Sequence, residues 1–438
     1  MLASYGKLNK NNRKGGFVYK APRGTSDILP QEQAYWKYVE EKAASLCQLY
    51  GYQLLTTPIF EDSQLFAPTV AGGQIAVAKE MYIFEDRSGQ KLALRAEGTA
   101  PVCRAYLEHG LFNLPQPVKL YYIGPAFRYE RPQAGRYRQH QQFGYEAIGN
   151  ADPALDAEVI EMAQRFFLSL GLAGFSFQLN SIGCNLCQPK YIEALRQHYS
   201  CYTAHLCPDC KARLLRNPLR LLDCKKASCQ KIAETAPRIT DYLCPECQAH
   251  FQSVQQYLEV LGIPFQLNYR LVRGLDYYTR TVFEVGPREE GAQSALGGGG
   301  RYDNLIEQLG GKPTPAVGFA AGIERIILNL KRQKIAIPAL SKPTAFIAYL
   351  GEGAKIRAIK LASELRQSGI AVIAAAGDKS LKGQLRQAHS LGASYAILIG
   401  EREVETQSAV LRDMKSGEQK VVPLAEVAVA FKRKQKSG

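Results

Sequence analysis

The stretch Leu271-Val-Arg-Gly-Leu-Asp-Tyr-Tyr-Thr-Arg-Thr-Val-Phe-Glu284 places a cation, a carboxylate and two phenols within six residues. It then continues into β-branched and aromatic side chains, a composition that predicts a strand. Such a cluster can bind a small zwitterion and stabilise an anionic transition state, because an unmatched buried donor or acceptor costs roughly 1–3 kcal/mol. Taken alone, the stretch also fits an ordinary hairpin with a surface arginine.

A second polar group is formed by Phe127-Arg-Tyr-Glu-Arg131 and Gln141-Gln-Phe-Gly-Tyr-Glu-Ala-Ile-Gly149. Strand alternation puts Gln142, Gly144 and Glu146 on one face of the second segment. A polar face with a gap at the glycine suits an amino acid lying on a sheet. The alternative is a hairpin that carries ordinary surface charges.

The third group is Ala316-Val-Gly-Phe-Ala-Ala-Gly-Ile-Glu-Arg-Ile-Ile327, in a segment that predicts a strand running into a helix. On a helix, Gly318, Gly322 and Arg325 would share a face, and the glycines would let the arginine reach a buried site. A helix-packing stripe with an incidental arginine is the alternative.

The order of predicted elements indicates an α+β domain followed by a small α/β domain. Antiparallel strands cluster together, with helices before and between them. Residues 333–343 contain two prolines and predict a linker, after which strands and helices alternate. The main predicted helices are 31–50, 99–109, 154–170, 304–309, 354–367 and 380–391, and the main predicted strands are 52–60, 81–85, 91–95, 118–124, 141–149, 175–181, 265–271, 280–286, 345–350, 370–375 and 395–399.

Nine of the eleven cysteines lie between Cys184 and Cys247. Eight of them form three C-x-x-C pairs and one C-x4-C pair, a spacing that is typical of zinc ligands and sufficient for two four-thiolate sites. A disulfide framework and a set of reduced thiols without metal are the alternatives. The pairs are Cys184/Cys187, Cys207/Cys210, Cys224/Cys229 and Cys244/Cys247.

The net charge favours a polyanionic partner and the hydropathy argues against a membrane protein. Fifty-five Lys and Arg against 40 Asp and Glu give +15, and such an excess favours association with nucleic acid. No apolar run reaches membrane-spanning length. The first twenty residues are basic and lack the apolar core of a secretory signal, so we expect a disordered tail, with an organelle transit peptide as the alternative, and a cytoplasmic protein.

These groups together resemble the bacterial histidyl-tRNA synthetases, which are class II aminoacyl-tRNA synthetases. Leu271–Glu284 resembles the family's signature peptide, residues 127–149 resemble motif 2, and residues 316–327 resemble motif 3. Leu94-Arg-Ala-Glu-Gly-Thr99 resembles the R-P-E-G-T motif, with Ala96 where proline is usual. The resemblance extends in order over residues 20–425.

The chain departs from the family pattern at Gly72–Lys79, where a Thr-Asp-Ile-Val pattern is common, and at His140-Gln141, where Phe-His is more usual.

The cysteine-rich segment falls where the family carries its insertion domain. Residues 52–60 resemble motif 1, which builds a dimer interface around its proline, here Pro58. The terminal domain resembles the family's anticodon-binding domain.

The resemblance implies a class II catalytic domain, an antiparallel sheet flanked by helices, with a mostly helical insertion and a C-terminal α/β anticodon-binding domain. The expected boundaries are a basic tail at 1–20, the catalytic domain at 21–332 interrupted by the insertion at 184–255, the linker at 333–343 and the anticodon-binding domain at 344–438.

The implied reaction joins histidine to ATP as histidyl-adenylate and then acylates tRNA(His). Arg128 and Arg273 are expected at the α-phosphate as catalytic groups, Arg325 at the γ-phosphate, and Glu130 at adenine. Mg²⁺ is expected to bridge the outer phosphates, and a homodimer is expected. Structural zinc stays open.

The resemblance also implies the residues that bind histidine. The α-ammonium is expected at Glu146, Gln142 and Thr99, and the imidazole at Glu97 and Tyr278. The remaining expected members of the histidine site are Gly98, Arg273 and Tyr277. The alternative function is that of the non-catalytic, histidyl-tRNA-synthetase-like regulatory subunit of ATP phosphoribosyltransferase, which normally lacks the Arg273 peptide and the C-terminal domain.

Overall fold

The computed structural model describes residues 19–67, 81–133, 135–273, 275–287, 295–340, 342–377 and 379–435. The expectations for the first eighteen residues and for the altered segment 72–79 therefore lie outside the described residues. The described residues form two compact units, divided between Pro338 and Ala339. None of the described helices is both long and apolar enough to cross a membrane.

An eight-stranded sheet dominates the first unit. Its strands follow the order β1-β5-β6-β11-β10-β9-β7-β8, with parallel pairs only at the two edges. A separate three-stranded sheet has the order β2-β4-β3. The strands are β1 (Gln53–Leu54), β2 (Phe60–Asp62), β3 (Ile83–Glu85), β4 (Lys91–Leu94), β5 (Val118–Phe127), β6 (Gln139–Ile148), β7 (Phe175–Ser181), β8 (Phe265–Leu267), β9 (Thr279–Pro287), β10 (Gly297–Arg301) and β11 (Ala316–Gly322).

Nine α-helices accompany these strands within the described part of the first unit. The predicted helices at 31–50, 99–109 and 154–170 are confirmed with small changes at their ends. They are α1 (Gln33–Leu49), α2 (Thr99–Glu108), α3 (Pro153–Ser169), α4 (Gln188–Ser200), α5 (Pro208–Arg216), α6 (Ala227–Glu234), α7 (Pro245–Val260), α8 (Leu305–Gln308) and α9 (Ile323–Arg332).

One face of the large sheet is covered by helices and forms the main hydrophobic core. Val39, Ala43 and Leu46 recur at helical spacing and are buried on α1. On β6, Phe143 and Tyr145 point into the same core and are fully buried. Strand alternation therefore leaves the opposite face of β6 free for polar side chains, as predicted.

Two sequence predictions about local structure are wrong. Gly318 lies in β11, where it pairs with Glu146 of β6 and Gly300 of β10, so it shares no helical face with Arg325. Pairing on both sides keeps this segment extended, and the helix begins only at Ile323. The predicted strand 52–60 is two strands, β1 and β2, which belong to different sheets.

The cysteine-rich segment folds as the mostly helical insertion that was predicted. Helices α4 to α7 lie between β7 and β8, and they surround a small core of their own. That core contains twelve buried residues, three of which are cysteines. A module with so few buried apolar side chains gains little stability from the hydrophobic effect alone.

The second unit has a five-stranded sheet in the order β13-β12-β14-β15-β16, parallel among β13, β12 and β14 and antiparallel beyond. The predicted alternation is confirmed as far as residue 399, and the two strands and two helices beyond it were not predicted. The elements are β12 (Ala345–Tyr349), α10 (Glu352–Gln367), β13 (Val372–Ala374), α11 (Leu381–Ser390), β14 (Tyr395–Ile399), α12 (Glu401–Glu405), β15 (Ser408–Asp413), β16 (Gln419–Pro423) and α13 (Val427–Gln435).

Candidate active site

A cavity over the polar face of the large sheet brings together the predicted site residues with one exception. Gly98 is not among the residues that line it. The predicted residues that do line the cavity are Glu97, Thr99, Arg128, Glu130, Gln142, Glu146, Arg273, Tyr277, Tyr278 and Arg325. Residues from four separate segments, at least 29 positions apart in sequence, thus meet in one place.

Glu146 is a buried carboxyl group that is held by two hydroxyls. Thr99 Oγ1 donates to its Oε1 over 2.7 Å, and Tyr302 OH donates to its Oε2 over 2.6 Å. Burial raises the pKa of Glu146 to about 8, although these hydroxyls oppose the rise. Burial therefore favours the protonated form of Glu146, whereas the two hydroxyls favour the ionised form.

Glu97 is buried at the start of α2, where its carboxyl group accepts hydrogen bonds from two backbone N–H groups. Its Oε2 accepts from the Thr99 N–H over 2.6 Å, and its Oε1 accepts from the Ala100 N–H over 2.8 Å. Burial raises the pKa of Glu97, and the two N–H donors act against that rise. The donors and the positive end of the helix favour a fixed anion at this position.

Arg273 projects into the cavity from the segment that precedes β9. Its Nη1 donates to Glu284 Oε2 over 2.8 Å, and its side chain is 20% exposed. Burial opposes the charged form, but Tyr278 and Glu284 outweigh this effect and the pKa of Arg273 is raised. A partly exposed guanidinium remains positive here and can meet an anionic ligand.

Two further arginines line the cavity and are oriented by backbone carbonyls. Arg128 Nε donates to the Ala96 carbonyl over 3.1 Å. Arg325 Nε donates to the Gly135 carbonyl over 2.8 Å, and burial lowers its pKa. Arg128 is fixed through Nε, and Arg325 through Nε and through Nη1, which donates to the Ala295 carbonyl. Each guanidinium keeps further terminal N–H groups that can bind phosphate oxygens.

Burial and the neighbouring cations Arg128 and Arg325 lower the pKa of His140 to about 3. His140 is therefore neutral in the cavity and adds no charge. The positive charge of the cavity comes from its arginines.

Glycines keep the floor of the cavity open. A Cβ at Gly144 would come within 2.3 Å of Tyr122 OH, and one at Gly318 within 1.7 Å of Glu146 Oε2. At Gly98 a Cβ would meet the Tyr122 ring at 2.1 Å. Gly98 is therefore a residue of close packing behind the cavity wall, which accounts for its place outside the lining.

The residues of the site that were not predicted include Tyr302, Tyr122 and Glu284. Tyr302 lies two positions after the four consecutive glycines 297–300, and its buried hydroxyl donates a hydrogen bond to Glu146. The buried hydroxyl of Tyr122 has no hydrogen-bond partner among the described residues. The alternation of β5, which places Tyr122 opposite Gly144, is the signal that could have identified it.

Two family models cover most of the chain. The model described as histidyl-tRNA synthetase matches residues 24–196 and 210–326, and the model described as anticodon binding domain matches residues 344–434. A histidine--tRNA ligase of Dehalococcoides mccartyi strain 195 is 59% identical over 416 residues, covering 95% of this chain and 100% of the relative. One from Desulforamulus reducens is 48% identical, covering 94% and 98%.

Among solved structures, the apo histidyl-tRNA synthetase of S. aureus is similar, with a TM-score of 0.80 and 40% sequence identity, and the match covers 95% of this chain and 100% of that one. The antiparallel sheet, its polar cavity and the separate C-terminal unit define a class II aminoacyl-tRNA synthetase. Within that class, the chain belongs to the histidyl-tRNA synthetase family.

Proposed function

We propose that this chain is an ATP-dependent ligase that attaches L-histidine to tRNA(His) through a histidyl-adenylate intermediate. The observation that carries the proposal is a single cavity that holds two buried carboxyl groups, Glu97 and Glu146, together with Arg128, Arg273 and Arg325. Carboxylates suit the nitrogen groups of an amino acid, and arginines suit a polyphosphate. Full-length relatives carry the name histidine--tRNA ligase.

In the first step the histidine carboxylate attacks the α-phosphorus of ATP, the bond from that phosphorus to the bridging oxygen breaks, and pyrophosphate leaves. Negative charge develops on the α-phosphate oxygens. Arg128 and Arg273 stabilise that charge, and hydrogen bonds to the Ala96 carbonyl and to Glu284 orient their guanidinium groups. In the second step a ribose hydroxyl of the tRNA terminus attacks the adenylate carbonyl, and AMP leaves.

The hydrogen bonds favour an exchange of the histidine contacts that the sequence suggested for Glu97 and Glu146. Glu97 is a fixed acceptor at a helix N-terminus, which suits the α-ammonium, charged at neutral pH. Glu146 is held only by rotatable hydroxyls and has a pKa of about 8, which suits an imidazole nitrogen that titrates in the same range. Tyr277 and Tyr278 complete the pocket wall.

Arg325 is assigned to the γ-phosphate and Glu130 to adenine. Glu130 and Glu284 are electrostatic neighbours of Arg325, and Glu284, which is not assigned to adenine, would offer carboxylate oxygens of the kind that Mg²⁺ prefers. When bound with the nucleotide, Mg²⁺ supplies charge neutralisation at the outer phosphates. The protein residues supply orientation, since Arg325 is fixed by two backbone carbonyls, those of Gly135 and Ala295.

The C-terminal unit is assigned to reading the anticodon, and the charge of +15 assists binding of the tRNA. A homodimer is proposed, because Leu54 of β1, Phe60 of β2 and Phe84 of β3 expose large apolar side chains, and the first two flank Pro58 in the sequence. We assign the protein to the cytoplasm, where its tRNA substrate is found.

A regulatory role without catalysis is the second candidate, and two features of the chain disfavour it. The Arg273 peptide is present and its arginine lines the cavity. The C-terminal unit, which such subunits normally lack, is also present.

The test is amino-acid-dependent exchange of pyrophosphate into ATP, measured with each of the twenty amino acids. We expect exchange with histidine alone, since a site that satisfies both imidazole nitrogens rejects other side chains by roughly 10⁴ or more. Exchange with another amino acid, or none with histidine, would contradict the proposal.

A further inference from the structure

The insertion brings its eight paired cysteines together in two groups of four. Within each group the sulfur atoms all lie within 4.8 Å of one another. The groups are nested along the chain, because one is contained in the loop between the two halves of the other. We call them the outer site, Cys184, Cys187, Cys244 and Cys247, and the inner site, Cys207, Cys210, Cys224 and Cys229.

The sulfur spacing matches a tetrahedral metal ion and not a disulfide. A zinc ion with four Zn–S bonds of about 2.3 Å has sulfurs about 3.8 Å apart along each edge of the tetrahedron. Cys184 Sγ lies 3.7 Å from Cys187 Sγ and 3.9 Å from Cys244 Sγ. A disulfide requires about 2.05 Å.

The backbone around the sulfurs is arranged to support negative charge. The Cys244 N–H donates to Cys187 Sγ over 3.1 Å, and the Leu186 N–H donates to Cys184 Sγ over 3.4 Å. In the inner site, the Cys207 N–H donates to Cys229 Sγ over 3.4 Å. Such N–H donors orient the thiolate groups that bind the metal ion.

We propose that the insertion is a zinc module with two structural four-thiolate sites, paired as the outer and inner sites defined above. Each ion cross-links segments that are distant in sequence, and the outer ion closes a loop that contains the whole inner site. Four protein ligands leave no open coordination position, so the ions stabilise the fold and do not bind substrate. Zinc in such modules contributes to folding directly.

The inner site stabilises a segment that contacts the candidate active site. Asn217 and Arg220 lie between its two halves. Asn217 Nδ2 donates to Asp276 Oδ1 over 3.1 Å, and Arg220 Nη1 donates to the Arg273 carbonyl over 3.0 Å. Val272 packs against the core of the insertion. Loss of the inner ion is therefore expected to disturb the peptide that carries Arg273.

The inner site also lies where the chain differs from the general family model. That model leaves residues 197–209 unmatched, and this stretch contains Cys207. A four-thiolate site that includes this residue is thus a property to be tested on this chain itself.

The first measurement is the zinc content of the full-length protein, purified without chelator, by elemental analysis. We expect two zinc ions per chain, and less than a tenth of an equivalent would overturn the proposal, as would bound iron in place of zinc. Titration with an organomercurial should release each ion as four thiols react. This measurement uses unaltered protein, so it decides the question even if cysteine variants misfold.

Double variants test the pairing. Cys184→Ser/Cys244→Ser removes two ligands of one site and should leave one zinc per chain, whereas Cys184→Ser/Cys207→Ser affects both sites and should leave almost none. Cys201→Ser is the matched control, because this exposed cysteine belongs to neither site and its replacement should leave two zinc ions. Equal zinc contents in the two double variants would overturn the pairing.

Discussion

Among individual residues, Arg273 carries the largest expected share of the chemistry. Its guanidinium lines the cavity and is oriented by Glu284. Arg273→Ala should lower the rate of pyrophosphate exchange by roughly 10²–10³, because it removes charge stabilisation from the transition state. Histidine affinity should change little, as measured by calorimetry.

Arg270→Ala is the control for this variant, since Arg270 is an exposed arginine three residues earlier. It should exchange pyrophosphate at the unaltered rate. If Arg273→Ala exchanges pyrophosphate at the wild-type rate, Arg273 has no role in the mechanism.

The pKa of Glu146 leads to a prediction about pH. Burial raises that pKa to about 8 in the free protein, so the ionised fraction grows as pH rises. If histidine donates a hydrogen bond to the ionised form, its affinity should increase roughly eightfold from pH 7 to pH 8.5. Glu146→Gln should bind histidine more weakly and without this increase. Calorimetry in matched buffers measures the histidine affinity of both proteins. If the affinity of Glu146→Gln still rises with pH as in the wild-type protein, the assignment is refuted.

Site residues could be predicted when their partners lie close to them in the sequence. Arg273, Tyr277 and Tyr278 occur in one short stretch with a recognisable chemistry. Tyr302 contacts Glu146 across 156 positions, and nothing in its own neighbourhood indicates that contact. Contacts of this kind depend on the order of strands in the sheet, which the residues around Tyr302 do not indicate.

At the level of elements, β10 was missed for a physical reason. Four consecutive glycines have low strand propensity, so no strand was predicted at 297–300. In the structure these residues form β10, which lies between β9 and β11 where a larger side chain would not fit. A Cβ at Gly299 would lie 2.0 Å from the Gly318 carbonyl oxygen. The glycines therefore allow β10 to lie close to its neighbouring strands.

Gly298 tests the function of this strand. A Cβ there would lie 2.6 Å from Arg273 Nη1, the end of a flexible side chain that can move aside. Gly298→Ala should therefore keep the free energy of unfolding nearly unchanged while it displaces the guanidinium and lowers pyrophosphate exchange at least tenfold. Denaturant unfolding and exchange assays measure the two effects separately.

Gly286→Ala on the adjacent strand β9 is the matched control, because its Cβ would meet nothing closer than 4.0 Å. It should retain both stability and exchange. If Gly298→Ala exchanges as fast as this control, the open floor of β10 has no role in positioning Arg273.

For the whole molecule, the exposed apolar residues around Pro58 bear on assembly. Phe60 is 48% exposed, Leu54 59% and Phe84 42%. Phe60→Glu should convert the proposed dimer into monomers at low micromolar concentration, because burying an unpaired charge in an interface is costly. Sedimentation equilibrium measures this. Leu168→Glu is the control, because Leu168 on α3 is similarly exposed, and this variant should stay dimeric. A monomeric wild-type protein would refute the proposal.

The two units have hydrophobic cores that share no residue among those described, so each can be tested for its own contribution. A chain ending at Pro338 retains the whole cavity, and it should exchange pyrophosphate within a few-fold of the full-length rate. It should charge tRNA(His) roughly a hundredfold less efficiently, because about 3 kcal/mol of binding free energy at the anticodon is lost. The efficiency of charging and the exchange rate are measured on the same preparation. Equal losses in both assays would show that the C-terminal unit supports the catalytic fold and does not read the tRNA.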